Sequence, residues 1–309
     1  MLRTSTRQRV ERAESLAADR GGVLARRELG ALDVHRDVVA RLVRDGRWAT
    51  CGRHSIAVHR GRLEPLGSWW RAVHEVGGSA LVDGTSALRA AGLIGLDDQE
   101  VHVSVHMLER APDVDGVLVH KVSRRLVDDE MPVGVPRTRP ALAALRAAQW
   151  AVSDRQAALF LVMPVQQRLV TGEQLKEAHS RYPGRRRRAL VAQLIEDIVD
   201  GAHSLGELDL ARLCRRRGLP EPERQSVTRG ANGRYYLDVR WREGLVAEID
   251  GSQHFSGMSP VDDMLRQNEV AMRGDMVLRI PLLGLRLDPE AFLDQIAQAL
   301  RILAVRSVG

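Results

Sequence analysis

The stretch RYYLDVRWREGLVAEIDGSQH, Arg234 to His254, decides how the C-terminal third of this chain is read. It reads as two short strands joined by a tight turn. With the turn centred on Glu243, cross-strand partners sum to a constant, and Asp238 falls opposite Glu248 with Cβ atoms roughly 5 Å apart. Asp250 lies two residues beyond Glu248, so the period of a strand puts it on the same face. Two carboxylates facing each other across a ladder repel, and a cation or a shared proton makes the pair tolerable. Hard oxygen donors in this pattern suit Mg²⁺, or Mn²⁺ in its place, better than Zn²⁺. The opposite face, Leu237, Val239, Ala247 and Ile249, is apolar, so the acids also have a plain reading as solvated surface charges. Against that reading stand Val246, which shares the acid face, and the crowding of the acids at one end of it.

Residues downstream of the hairpin extend the pattern. Asp250-Gly251-x-x-His254 leads into Asp263-x-x-Arg266 on an expected helix, then Gly274, an apolar strand Met276–Ile280 and a closing amphipathic helix from Pro289 to Leu303. Together with Glu207 upstream, this order resembles the very-short-patch-repair endonuclease-like branch of the PD-(D/E)XK nuclease superfamily, over residues 204–303. The resemblance implies a restriction-endonuclease-like domain in which Asp238 and Glu248 bind the metal and Asp250 takes the third motif position. It implies that Glu207 assists the metal or its water, and that His254 or a metal-bound water handles the proton. The wider superfamily carries a Lys in the third position. This chain has only Lys121 and Lys176, and neither is in that region. Each supporting residue also has a plainer role. Glu207 follows Ser204 at capping-box spacing, His254 is a loop histidine, and Asp262 with Arg266 forms an i,i+4 pair.

The charge is concentrated at the other end. The 309 residues carry a net +6, but residues 1–62 hold 14 Arg against 7 acids, an excess of +7 that leaves about −1 for the rest. A local excess of this kind points to a polyanion. The same segment has an ordered pattern. Helices are expected over 6–19, 26–32 and 35–45, the last with an apolar arc of Val38, Val39, Leu42 and Val43. Arg36, Arg41 and Arg44 lie mainly outside that arc, and 47–58 reads as a small hairpin or wing. Helix, turn, basic helix and wing form a winged helix-turn-helix pattern whose basic helix would enter the major groove of DNA. The plainer alternative is a helical domain for protein contacts with its arginines solvated. GGVLARREL, the basic helix, GRW and the hairpin also resemble the N-terminal domain of AbiEi-like antitoxins. VHVSV, GVLVHKV and VPRTRPALAAL in the middle resemble the central part of those proteins.

The middle reads as helices over 66–76, 84–91, 139–150, 154–169 and 172–179, with strands over 101–106 and 117–122. His102, Ser104 and His106 alternate along one strand, but His102 and His106 stand about 13 Å apart, too far to share one ion easily, so a half-exposed polar face is expected. Arg185–Arg188 fits a backbone-contacting run or a solvated helix start. Two cysteines without a pairing pattern, an opening without an apolar signal region and no apolar run long enough for a bilayer lead to the expectation of a reduced, cytoplasmic protein.

The expected architecture is α/β (α+β) in three parts: a winged helix over 1–62, an α+β middle domain over 63–200 and a nuclease-like domain over 201–309. The expected function is Mg²⁺-dependent DNA cleavage. The alternative is a non-catalytic regulator or antitoxin with a toxin or other protein partner. A homodimer formed through the middle region is a further expected assembly, and a purely structural role fits neither the acids nor the arginines.

Overall fold

The computed structural model describes residues 5–96, 98–199, 210–229, 235–250 and 276–306. The chain divides into two compact units, Met1–Ala147 and Ala148–Gly309, with the division falling inside the helix Pro140–Trp150. Both mix helices with small sheets, an α+β composition.

The first unit opens with α1 (Thr6–Ala18). Ser5 caps it through its side chain, and Gln8 returns a bond to the Ser5 amide, which together satisfy two of the helix's orphan donors. Gly21 and Gly22, both at positive φ, turn the chain into β1 (Val23–Ala25). The short helix α2 (Arg26–Ala31) follows, then a four-residue turn with Asp33 in the left-handed region, then α3 (Arg36–Arg44). Gly46 at φ +70° stops α3. The strands β2 (Ala49–Thr50) and β3 (Ser55–Ala57) close an antiparallel sheet of order β1-β3-β2. Val10, Ala13 and Ala17 of α1 meet Leu29, Val39, Leu42, Trp48 and Ile56 in one buried cluster, so residues 6–57 hold a core of their own. Trp48 is fully buried, and its indole N–H is satisfied by Glu14 Oε1 at 3.0 Å.

The rest of the first unit packs α4 (Pro65–Val76) and α5 (Gly84–Ala90) with a three-stranded sheet of β4 (Leu81–Val82), β5 (Val101–His106) and β6 (Val117–Val122), in that order. β4 runs antiparallel and β6 parallel to β5. Asp83 is fully buried. It caps α5 at Gly84 N (2.8 Å) and pairs with Arg146 Nη1 at 2.5 Å on α6 (Pro140–Trp150). A buried carboxylate tolerates this depth only when its oxygens are bonded in this way.

In the second unit, α7 (Asp154–Gln166), α8 (Gly172–Arg181) and α9 (Arg188–Val199) form a helical layer, with Thr171 and Gln174 making a capping box on α8. α10 (Leu210–Arg217) precedes a four-stranded sheet of β7 (Arg224–Arg229), β8 (Tyr235–Arg240), β9 (Leu245–Asp250) and β10 (Met276–Pro281). The sheet order is β10-β9-β8-β7, antiparallel except for the parallel β9–β10 edge. α11 (Leu282–Leu287) and α12 (Pro289–Arg306) end the described chain. Val239, Trp241, Leu245, Ala247 and Ile249 bury one sheet face against Leu210 and Cys214 of α10 and Leu293, Ile296 and Ala299 of α12. That packing fixes which residues share the opposite face, and Asp238, Glu248 and Asp250 take those positions by alternation. No helix among the described residues is long and apolar enough to cross a membrane.

Candidate metal centre and nucleic-acid interface

The turn between β8 and β9 forms as its composition requires. Trp241 N donates to Leu245 O at 2.9 Å, Gly244 N to Trp241 O at 3.2 Å, and Gly244 sits at φ +84°. The resulting register pairs Asp238 with Glu248 and Tyr236 with Asp250, so the expected juxtaposition holds at the level of the backbone. Glu248 is only 4% exposed, which overturns the solvated-surface reading for this residue. A carboxylate at that depth needs a positive partner or a dense set of donors. β10 supplies one: its parallel register sets Arg279 beside Glu248, with Arg279 Nε 3.4 Å from Glu248 Oε2. The contact is long for a hydrogen bond and acts as an ion pair, with the Arg279 side chain 40% exposed. The spacing of the acids asks for a cation between them but does not point to this one. It is visible only once β10 is known to run parallel to β9.

For Asp238 and Asp250 the described structure extends to the backbone. Glu207 and His254 lie outside the described residues, as do Gly251, Asp262, Asp263, Arg266 and Gly274. Among the described residues no group of three or more His, Cys, Asp or Glu is placed to hold a metal ion.

The helix α3 presents a different kind of charge. Val39 and Leu42 are buried and Val38 and Val43 pack against the same core, while Arg36, Arg41 and Arg44 are exposed. None of the three arginines makes an ion pair among the described residues. Arg41 and Arg44 also fall in the last turn, where cations complement the helix dipole.

Two buried polar clusters are not legible in the sequence. On the expected half-exposed polar face, His102 and His106 are partly exposed but Ser104 is not. Ser104 is fully buried, with its carbonyl and hydroxyl both accepting from Arg125 Nη2 at 3.0 and 2.9 Å. Beside it runs a chain of groups: Thr85 donates to Asp98 (2.5 Å), His102 Nε2 lies 3.2 Å from Asp98 Oδ2, and His120 Nε2 lies 3.0 Å from His102 Nδ1. Because His102 Nε2 faces the carboxylate it carries the proton there, and its Nδ1 accepts from His120. Burial pushes the Asp98 carboxyl up, but bonds from His102 and Thr85 outweigh it and hold it at about 2. Burial, helped by the electrostatic influence of the neighbouring His102 ring, pushes His120 down to about 4. The second cluster surrounds Glu75 of α4, an acid within a helix end where His74, Glu75 and Val76 are all buried. An acid inside an amphipathic run is its one sequence signal.

No family model matches the chain, and no curated protein matches it. Among solved structures it is similar to the RV2827C protein from Mycobacterium tuberculosis, at 20% identity and a TM-score of 0.38, over 64% of this chain and 77% of that one.

Proposed function

We propose that this chain is a DNA-binding protein that hydrolyses DNA phosphodiester bonds with Mg²⁺ or Mn²⁺. In this reading residues 1–62 form a winged helix-turn-helix, 63–200 an α+β middle domain and 201–309 a PD-(D/E)XK-like domain. The observation that carries the nuclease reading is the Asp238–Glu248 register combined with the burial of Glu248. Carboxylates on one face of a strand pair are the donors a hard cation takes, so the residue types fit such an ion. Asp238 and Glu248 would hold it, Asp250 would complete the donor set, Glu207 would orient a water, and His254 would accept a proton at its ring. When bound, a divalent ion supplies charge against the phosphodiester and lowers the pKa of the attacking water. The exposed Arg36, Arg41 and Arg44 support α3 as the DNA-facing element, touching phosphates or base edges in the major groove. The two free thiols, Cys51 and Cys214, fit a reducing, cytoplasmic setting.

One observation favours a second reading. Arg279 already meets the Glu248 charge from within the sheet, as expected of a fold that binds DNA or a toxin partner without cutting. The experiment that separates the two offers the full chain supercoiled, linear and single-stranded DNA with Mg²⁺, Mn²⁺ or a chelator. Cleavage that requires the metal supports the nuclease. Intact DNA of every form, with binding retained, supports the regulator.

A further inference from the structure

The loop joining β2 to β3 is held from beneath by one carboxylate. Glu75, 8% exposed on α4, accepts from Arg53 N at 2.9 Å, from His54 N at 2.8 Å and from the Ser55 hydroxyl. Gly52 makes room for it, since a Cβ there would collide with the carboxylate. One turn earlier on α4, Arg71 Nε donates to Cys51 O at 2.7 Å. From the opposite side, Arg26 N donates to His54 O at 2.8 Å and Arg26 Nε to Arg53 O at 3.1 Å. The loop backbone from 51 to 55 is thus bonded at every residue but the glycine. The side chains of Arg26, Arg53 and His54 stand exposed on it. Burial pushes the Glu75 carboxyl up, but the bonds from Ser55, His54 and Arg53 outweigh it and keep it below the usual carboxylate range.

We propose that Glu75 is a positioning residue for DNA, fixing the 51–55 loop so that Arg53, with the neighbouring Arg26, forms a phosphate-contacting patch additional to α3. The proposal rests on the DNA-binding reading. Two effects of Glu75 oppose each other. As a negative charge beneath a basic surface it weakens attraction to a polyanion, so by charge alone its removal tightens binding. As a clamp it settles the ordering of the loop before DNA arrives, so its removal weakens binding. The sign of the change decides between them.

The test measures affinity of the full chain for a mixed-sequence duplex across a salt series, with melting recorded for every variant. Glu75→Gln is expected to weaken binding about tenfold, the scale of one lost charge-assisted bond, and to flatten the dependence of log K on log salt by about one unit. A mere drop in folded fraction lowers apparent affinity but leaves that slope unchanged. Gly52→Ala keeps the charge, displaces the carboxylate and is expected to match Glu75→Gln. Ser55→Ala removes one of three donors, folds on its intact core and is expected to shift affinity in the same direction by less. Tighter binding by Glu75→Gln overturns the proposal, as does unchanged affinity in both Gly52→Ala and Ser55→Ala. A parent chain that binds no duplex overturns the DNA reading together with it, whatever the variants do.

Discussion

The α3 face and the β8–β9 face both carry charge, in opposite states. On α3 three arginines are exposed and make no ion pair among the described residues, so their positive potential is directed outward. On β9 the Glu248 carboxylate is buried and already met by Arg279. Exposed, uncompensated charge costs the fold little and is open to a partner, which suits a salt-sensitive encounter with a polyanion. Buried charge costs the fold several kcal/mol unless compensated, so its presence asks what gain offsets that cost. A helix surface advertises its partner, whereas a strand interior conceals whether its acid serves chemistry or only the sheet.

The comparison breaks most visibly at Glu248. If its carboxylate serves phosphodiester cleavage, Glu248→Gln lowers the metal-dependent rate on the order of a thousandfold or more, several kcal/mol of barrier. DNA affinity through α3 stays nearly unchanged. Cleavage assays beside binding isotherms check both halves, and equal cleavage by parent and variant ends the catalytic assignment. The next effect belongs to α3. Changing Arg36, Arg41 and Arg44 together to Ala is expected to flatten the salt dependence of DNA binding by about one unit of slope per lost phosphate contact. An unchanged slope would move the DNA-facing surface elsewhere.

The two faces also differ in how far the sequence discloses them. On α3 the apolar arc and the basic remainder are one periodic pattern, so burial of Val39 and Leu42 and exposure of Arg36, Arg41 and Arg44 can be read together. In the hairpin, alternation and the turn at Gly244 are enough to set Asp238 against Glu248. They are not enough to find Arg279, since a parallel neighbour arrives from beyond the hairpin and its register depends on tertiary packing. The strands β1 and β4 escape a reading of pattern because two or three residues hold too little of it to distinguish a strand from a loop, and β7, RQSVTR, has a single apolar residue and so no alternation to read. Glu75 and the Asp98–His102–His120 chain join residues from different elements, which no local spacing encodes.

Arg279 sharpens the comparison in a smaller way. Arg279→Gln leaves Glu248 buried without the guanidinium that faces it. Breaking a wholly buried pair costs about 3–5 kcal/mol, and with the Arg279 side chain 40% exposed the expected loss of stability is about 1–3 kcal/mol. A cation that binds the native carboxylates stabilises by mass action. Mg²⁺ should therefore raise the melting temperature of the variant more than that of the parent. A variant as stable as the parent, with no response to Mg²⁺, would mean that Glu248 needs neither partner.

The smallest expected effect tests whether buried, compensated charge behaves alike in the first unit. His120 is held near 4 against an ordinary 6.5, so in the folded chain it stays neutral where the unfolded chain takes up a proton. A lowered folded value contributes stability that is present above about 6.5 and is lost as pH falls towards 4. Asp98, held at about 2 against 3.8, adds a loss of the same sign at lower pH, as pH falls from 3.8 towards 2. These two groups alter stability on acidification because their environment and not solvent sets their protonation. Thermal melting of the chain should therefore lose about 1–2 kcal/mol between pH 6.5 and 4 from His120, a figure discounted for its partial exposure. His120→Asn keeps a donor for His102 Nδ1 without a titrating ring, and its melting curve against pH should be flatter across that window. The same fall in parent and variant would assign the acid sensitivity to other groups and set the histidine chain apart from the compensated carboxylate of β9.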